Sequence, residues 1–248
     1  MRLEGKVAIV TGGGSGFGEG IVSEFVAEGA RVVLVDRDGD NATRVAARFG
    51  NACVPLVADV SSAEGFVAAR DLALETFGSV SILVNNAGIG HLPAPMETID
   101  VEVFTRIAAV NMNSIYFGAM ALVPLFKQQK SGVFLNIAST GGVSPRPNLT
   151  WYNASKGWVI TATKAMAIEL APFGIRVNAL NPVAGDTPLL KTFMGGDTPE
   201  VRAKFLASIP LGRFSTPEDM GRASAFLCSD DAGMITGVAM EVDGGRCI

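Results

Sequence analysis

Short apolar runs alternate with longer stretches of helical period along almost the whole chain. Val7-Ala8-Ile9-Val10-Thr11, Arg31-Val32-Val33-Leu34-Val35 and the segments 52–58, 81–84, 132–138 and 237–242 have strand length, are rich in Val, Ile and Leu, and end at turn or polar residues. Between them, apolar positions such as Ile21, Val22, Phe25 and Val26 recur at helical spacing, and the patterns predict helices over 40–49, 62–77 and 101–129 as well. Strands that are apolar throughout and alternate with helices imply an α/β fold, with a parallel sheet covered on both faces. Segment 184–212 breaks this rhythm. It contains Gly195-Gly196 and few strand signals, so it reads as one or two short helices on a hinge, a lid whose Leu189, Leu190, Phe193 and Met194 are available to cover a small organic molecule or to pack among themselves.

Composition changes this picture little. A chain of 248 residues with 48% hydrophobic content, 29 glycines and no linker suits one large domain over 1–248. The net charge of -4, with Lys and Arg scattered among acids, provides no basic stripe, so nucleic acid is not an expected partner. Cys53, Cys228 and Cys247 are odd in number and lack metal spacing, which suggests reduced thiols in a cytoplasmic protein, and the single histidine, His91, leaves no His-rich metal site. The N-terminal residues have no signal-peptide pattern. Residues 107–126 are uncharged over a membrane-spanning length, but Asn111, Asn113, Ser114 and Pro124 interrupt them and no flanking cationic bias sets a topology. A buried helix between the sheet and a neighbouring subunit is expected there, without a membrane.

The first strand runs directly into Gly12-Gly13-Gly14-Ser15-Gly16-Phe17-Gly18 and then into a helix. Strand, glycine turn and helix form a phosphate-binding arrangement, because glycines admit a pyrophosphate close to the backbone and the helix start presents free N–H groups. The glycines fit G-x-x-x-G-x-G through Gly12, Gly16 and Gly18 and no register of G-x-G-x-x-G. The second strand ends at Asp36, twenty residues after Gly16, where a carboxylate can accept both ribose hydroxyls of an adenosine and repel a 2′-phosphate. That favours NAD over NADP, while Arg37 offers a guanidinium able to bind the phosphate. Asp59, Asn86 and Asn111 are each plausible as turn or cap residues, and together they line one edge of the sheet.

Tyr152 and Lys156 are four residues apart, which on a helix puts a phenol and an ammonium on one face. A phenol titrates near pH ~10, and a cation beside it lowers that value. The pair reads as a tuned acid/base. Ser139 closes the 132–138 run and brings a hydroxyl to a strand's carboxyl end, where open α/β sheets bind ligands; Thr140 and Ser144 are nearby alternatives.

With these motifs in order, from Thr11-Gly12-x-x-x-Gly16-x-Gly18 through Asn85-Asn86-Ala87-Gly88, Ser139, Tyr152-x-x-x-Lys156 and Asn181-Pro182 to Val242-Asp243-Gly244-Gly245, the chain resembles a single-domain short-chain dehydrogenase/reductase over essentially its whole length. The resemblance implies a Rossmann-like doubly wound sheet of about seven parallel strands and hydride transfer between a nicotinamide and a carbonyl or alcohol carbon. It gives Tyr152 the acid/base role and has Lys156 lower the phenol's pKa and bind the nicotinamide ribose. Ser139 would hydrogen-bond the substrate oxygen, and Asn111 would hold a water behind Lys156. The dinucleotide would lie along Ser15, Phe17 and the turn glycines, Asp36, Arg37, Asp59, Val60, Asn86, Ala87, Gly88, Pro182, Val183 and Thr187. The family's usual Pro-Gly is Pro182-Val183 here. Gly141 and Asn148, with Gly142, His91 and Trp151 beside them, are expected to wall the substrate. A homotetramer is expected from relatives and from the uncharged helix.

The implied substrate is a small secondary alcohol, ketone or polyol. Two competing readings are an NADP-dependent 3-oxoacyl carrier-protein reductase, which needs a cationic docking patch and a 2′-phosphate site, and a non-catalytic dinucleotide sensor, which has no use for a hydroxyl, phenol and ammonium together.

Overall fold

A computed structural model describes residues 1–248. In chain order the elements are β1 (Val7–Thr11), α1 (Gly16–Ala27), β2 (Arg31–Asp36), α2 (Gly39–Ala46), β3 (Cys53–Val57), α3 (Ala63–Phe77), β4 (Ile82–Asn85), α4 (Val101–Ala108), α5 (Ser114–Gln129), β5 (Gly132–Ile137), α6 (Thr150–Leu170), β6 (Ile175–Pro182), α7 (Leu190–Met194), α8 (Pro199–Leu206), α9 (Pro217–Cys228) and β7 (Ala239–Val242). All seven strands pair in parallel in the order β3-β2-β1-β4-β5-β6-β7, the doubly wound arrangement expected from the sequence. The order reverses between β1 and β4, and at such a switch point the strand ends leave a crevice.

Burial explains the strand composition. β1, β4 and most of β2 are buried on both faces, so every side chain is apolar except near the carboxyl ends. The edge strands β3 and β7 are only partly buried and are shorter than the 52–58 and 237–242 runs suggested. One core layer packs α1, α2 and α9 against one face, around Phe25, Leu34 and Met220, and the other packs α3, α5 and α6 around Phe66, Phe126 and Phe134. The 40–49 helix stops at Ala46 and tightens into 3₁₀ turns that end past Gly50, whose φ is +54°.

The uncharged 107–126 stretch lies on the continuous helical run 101–129, in which a π-helical turn (Ala109–Asn113) joins α4 to α5. The run is long and apolar enough to cross a membrane. Its inner face instead packs on the sheet, where Gly118 lets the helix approach Leu83 and Phe66, while Tyr116 and Met120 on its outer face are 56% and 60% exposed. Segment 184–212 carries the two short helices α7 and α8 that its pattern predicts.

Candidate active site

The carboxyl ends of the strands open into one cleft of about 700 Å³. At its base, β1 and β4 are stitched together by side chains. The Thr11 hydroxyl donates to the Val84 carbonyl at 3.2 Å and accepts from the Asn86 and Ala87 N–H groups at 3.0 and 3.1 Å. The Asn86 amide then donates to the Thr11 and Gly12 carbonyls at 2.8 and 3.1 Å. The glycine turn above this clamp tolerates no side chains at its contact points. Gly12 and Gly16 have φ of +65° and +55°, and a Cβ on Gly18 would overlap the Gly12 carbonyl oxygen. The first residues of α1 line the cleft, and the opening N–H groups of a helix have no intrahelical partners, a cradle that fits a pyrophosphate.

Asp36 closes β2, where its carboxylate accepts from the Gly14 N–H at 2.9 Å and the Asp38 N–H at 3.0 Å, which fixes it at the cleft wall. Asp59 accepts from the Ser61 N–H and hydroxyl, both at 2.8 Å, so it is a turn-stabilising residue that also lines the cleft; those bonds, with Arg37 adding a smaller pull, hold its carboxyl below the usual range. Arg37 and Val60 line the same end, and Arg37 is exposed and forms no ion pair.

At the opposite end, α6 delivers the phenol and the amine. A buried polar chain ties this helix to the sheet: Asn85 donates to Asn136 at 2.8 Å, and Asn136 donates to the Thr163 hydroxyl at 2.9 Å. Asn111, in the π turn, accepts from the Ile89 N–H at 2.9 Å and donates to the Ile89 carbonyl and the Ser155 hydroxyl at 3.0 Å each; Ser155 in turn donates to the Tyr152 carbonyl at 2.7 Å. Its side chain is thus committed to bracing the backbone on both sides of the phenol, and it stands behind the cleft wall. Ser139 leaves β5 with its hydroxyl accepting from the Gly141 N–H at 3.0 Å and flanking the phenol. Gly88 leaves room for the amine, since a Cβ there would lie 3.3 Å from Lys156 Nζ.

Tyr152 and Lys156 face one cleft together with Ser139, Gly141 and the glycine turn. The expected depression of the phenol's pKa is not what the geometry gives. Burial pushes Tyr152 up to about 12, with the Ser139 hydroxyl pulling the other way, and burial pushes Lys156 down to about 8. The reason is placement: Lys156 Nζ donates to the Ile137 carbonyl at 2.8 Å and sits 6.0 Å from the phenol ring centre, so it makes no hydrogen bond to the phenol and desolvation sets the direction.

Pro182, Val183 and Thr187 complete the wall opposite the glycine turn, with Thr187 packed where a Cβ on Gly16 would come within 3.2 Å. Val183 is buried, and its carbonyl accepts from the Ser215 hydroxyl at 3.2 Å. Leu189, Leu190 and Phe193 line the cleft, and the Phe193 ring centre is 4.7 Å from that of Tyr152; Met194 is buried beneath them.

Several expected substrate-wall residues lie elsewhere. Asn148 is exposed on a turn with φ +65°, its carbonyl accepting from the Ala94 N–H, and it does not line the cleft. Trp151 packs edge-on against Phe104 and donates to the Met96 carbonyl. Gly142 lets the loop pack on the Gly157 backbone, and His91 is buried outside the cleft against the Leu92 carbonyl. In their place come Arg106, Arg146, Leu149 and Phe205. Arg146, between two prolines in the loop after Ser139, carried the one available signal: a lone cation close to a strand end.

Comparison with known proteins agrees with this geometry. A family model described as Enoyl-(Acyl carrier protein) reductase matches residues 12–246. The chain is 45% identical over 257 residues to 4-formylbenzenesulfonate dehydrogenase of Comamonas testosteroni, covering 100% of both, and 38% identical over 251 residues to galactitol 2-dehydrogenase (L-tagatose-forming) of Cereibacter sphaeroides, covering 100% of this chain and 97% of the other. The crystal structure of a 3-ketoacyl-(acyl-carrier-protein) reductase from Brucella melitensis complexed with NADH superposes with a TM-score of 0.94 at 55% identity, covering 99% of this chain and 100% of that one.

Proposed function

Because this chain belongs to the short-chain dehydrogenase/reductase family, and is an oxidoreductase acting on CH–OH groups with a nicotinamide dinucleotide, we propose that it interconverts a small secondary alcohol or polyol and its carbonyl compound using NAD, with Tyr152 as the acid/base. The observation that carries the reading is the convergence of Tyr152, Ser139 and Lys156 on the cleft that the glycine turn opens into. When bound, the dinucleotide supplies or accepts the hydride. Gly12, Ser15, Gly16, Phe17 and Gly18 would cradle its pyrophosphate, Asp36 the adenosine ribose, Asp59 and Val60 the adenine, and Asn86, Ala87, Gly88, Pro182, Val183 and Thr187 the remaining length.

In reduction the phenol of Tyr152 donates its proton to the carbonyl oxygen as negative charge develops there, and the Ser139 hydroxyl donates a second hydrogen bond to that oxygen. Lys156 holds a positive charge on the same cleft as the phenol, and burial has made its amine a weaker base. In oxidation the same groups run backwards. The Asn111 side chain is a positioning element for Tyr152. The 184–212 segment acts as a lid, Phe193 covering the reacting end.

The fixed carboxylate of Asp36 supports NAD over NADP, since it would repel a 2′-phosphate where Arg37 alone would attract it. The likeness to the 3-ketoacyl-(acyl-carrier-protein) reductase of Brucella melitensis favours a second reading, reduction of a carrier-linked 3-oxoacyl group. A panel of small ketones, polyols and a 3-oxoacyl thioester, each assayed with NADH and NADPH (or NAD and NADP for the polyols) by nicotinamide absorbance, separates the two. Turnover of free carbonyl compounds with NADH supports the proposal, and turnover confined to the thioester with NADPH replaces it.

A further inference from the structure

The substrate end of the cleft holds a cation that the dehydrogenase chemistry does not use. Arg146 is half-buried in the loop after Ser139, lines the cleft, and its guanidinium neither pairs with an acid nor donates a hydrogen bond to the protein. Its backbone is fixed, because Asn153, next to Tyr152, donates to the Arg146 carbonyl at 2.8 Å. The guanidinium carbon sits 4.2 Å over the Phe205 ring of α8, so the segment that supplies Phe193 at the phenol also covers this cation. A cleft-lining guanidinium that is half-buried and has no acid partner carries part of its desolvation cost unrelieved, and an anion arriving through the cleft relieves it.

We propose that Arg146 is an anion-binding subsite for the substrate, which carries a carboxylate or sulfonate at one end and its reacting carbon, at Tyr152, at the other. Phe193 and Phe205 wall the space between, which suits an apolar or aromatic midsection. A planar guanidinium matches both oxyanions bidentately, so the geometry defines their shared chemistry. This inference rests on the dehydrogenase reading.

Matched ketones test it: 4-acetylbenzoate and 4-acetylbenzenesulfonate against 4-acetylbenzamide, and 4-oxopentanoate against 4-oxopentanamide, each with NADH. The anionic members should show kcat/KM about 100-fold above their neutral partners, the range of a charged hydrogen bond in a partly dry site. In Arg146→Met that ratio should fall to about one, and Arg146→Lys should recover part of it, whereas a purely structural role would lower both members alike. NADH titration of each variant checks that the cofactor site is intact, and the wild-type ratio is decisive without any variant. Neutral members turned over as well as anionic ones would overturn the subsite and leave the dehydrogenase reading standing. No oxidation of NADH by any carbonyl compound would remove that reading, and the subsite with it.

Discussion

Tyr152 and Lys156 are shaped more by burial than by each other. A phenol pushed up to about 12 is protonated at neutral pH and ready to donate, while alcohol oxidation needs it deprotonated. Oxidation rate at saturating NAD and alcohol should therefore climb between pH 7 and 10, and the reverse reaction should fall; equal profiles in the two directions would contradict the assignment. Lys156 also leaves a signature in stability. Its pKa drops from 10.5 to about 8 on folding, so between those values the unfolded chain binds more protons and stability rises with pH. Cys53, Cys228 and Cys247, pushed up by burial, act the opposite way in this window, so the lysine's contribution is read as a difference: denaturant titrations should show the stability of the wild type relative to Lys156→Met rising from pH 8 to 10. At the other end of the cleft, Asp36→Ser should raise kcat/KM with NADPH relative to NADH by about 10-fold or more, consistent with loss of a repulsive charge; an unchanged ratio would move cofactor choice elsewhere. Spacing and strand ends made Ser139, Tyr152, Lys156 and Asp36 legible in the sequence. The direction of the phenol's shift was not, because desolvation depends on what packs around it. Asn148 misled for a related reason: closeness in sequence to Tyr152 says nothing about which way a left-handed turn points.

Among the elements, the glycine turn and the α1–α9 packing make the sharpest demands. Gly18→Ala would drive a methyl group into the Gly12 carbonyl, so NADH affinity should fall by 100-fold or more, on the order of 3 kcal/mol, by fluorescence titration. Near-normal affinity would show that the turn is not the cradle. α1 and α9 cross closely because a Cβ on Gly20 would overlap the Pro217 carbonyl and one on Gly221 would lie 2.7 Å from the Gly20 carbonyl. α9 starts from a capping box in which Thr216 accepts from the Asp219 N–H and Asp219 accepts from the Thr216 N–H. Asp219→Ala should cost about 1 kcal/mol and lower Tm by roughly 2–4 °C. Arg213 and the cap hold the Asp219 carboxyl at about 2, so this contribution is complete above its ordinary 3.8 and lost as pH falls toward 2. The π turn at Ala109–Asn113 is not readable from sequence, since it arises where Asn111 must reach both Ile89 and Ser155.

For the whole molecule, the alternation of strands and helices was enough to anticipate a parallel sheet covered on both faces, the family resemblance supplied its doubly wound order, and the strand-end motifs pointed to one edge of the sheet. Convergence across the sheet was not legible: Arg146, Arg106 and Phe205 are 40 to 99 residues apart in sequence and reach the cleft from three separate segments. The outer face of α5 exposes Tyr116 and Met120, an apolar surface available to the homotetramer expected from the family resemblance. Met120→Glu should lower the mass measured by light scattering, and a mass of one chain in the unsubstituted protein would refute that assembly. The central claim concerns a single oxygen atom. Steady-state turnover of Tyr152→Phe, paired with NADH titration, should show kcat reduced by about 1,000-fold with the NADH dissociation constant within about 3-fold of wild type. Turnover within about 10-fold of wild type, with NADH still bound, would mean that the proton moves through another group.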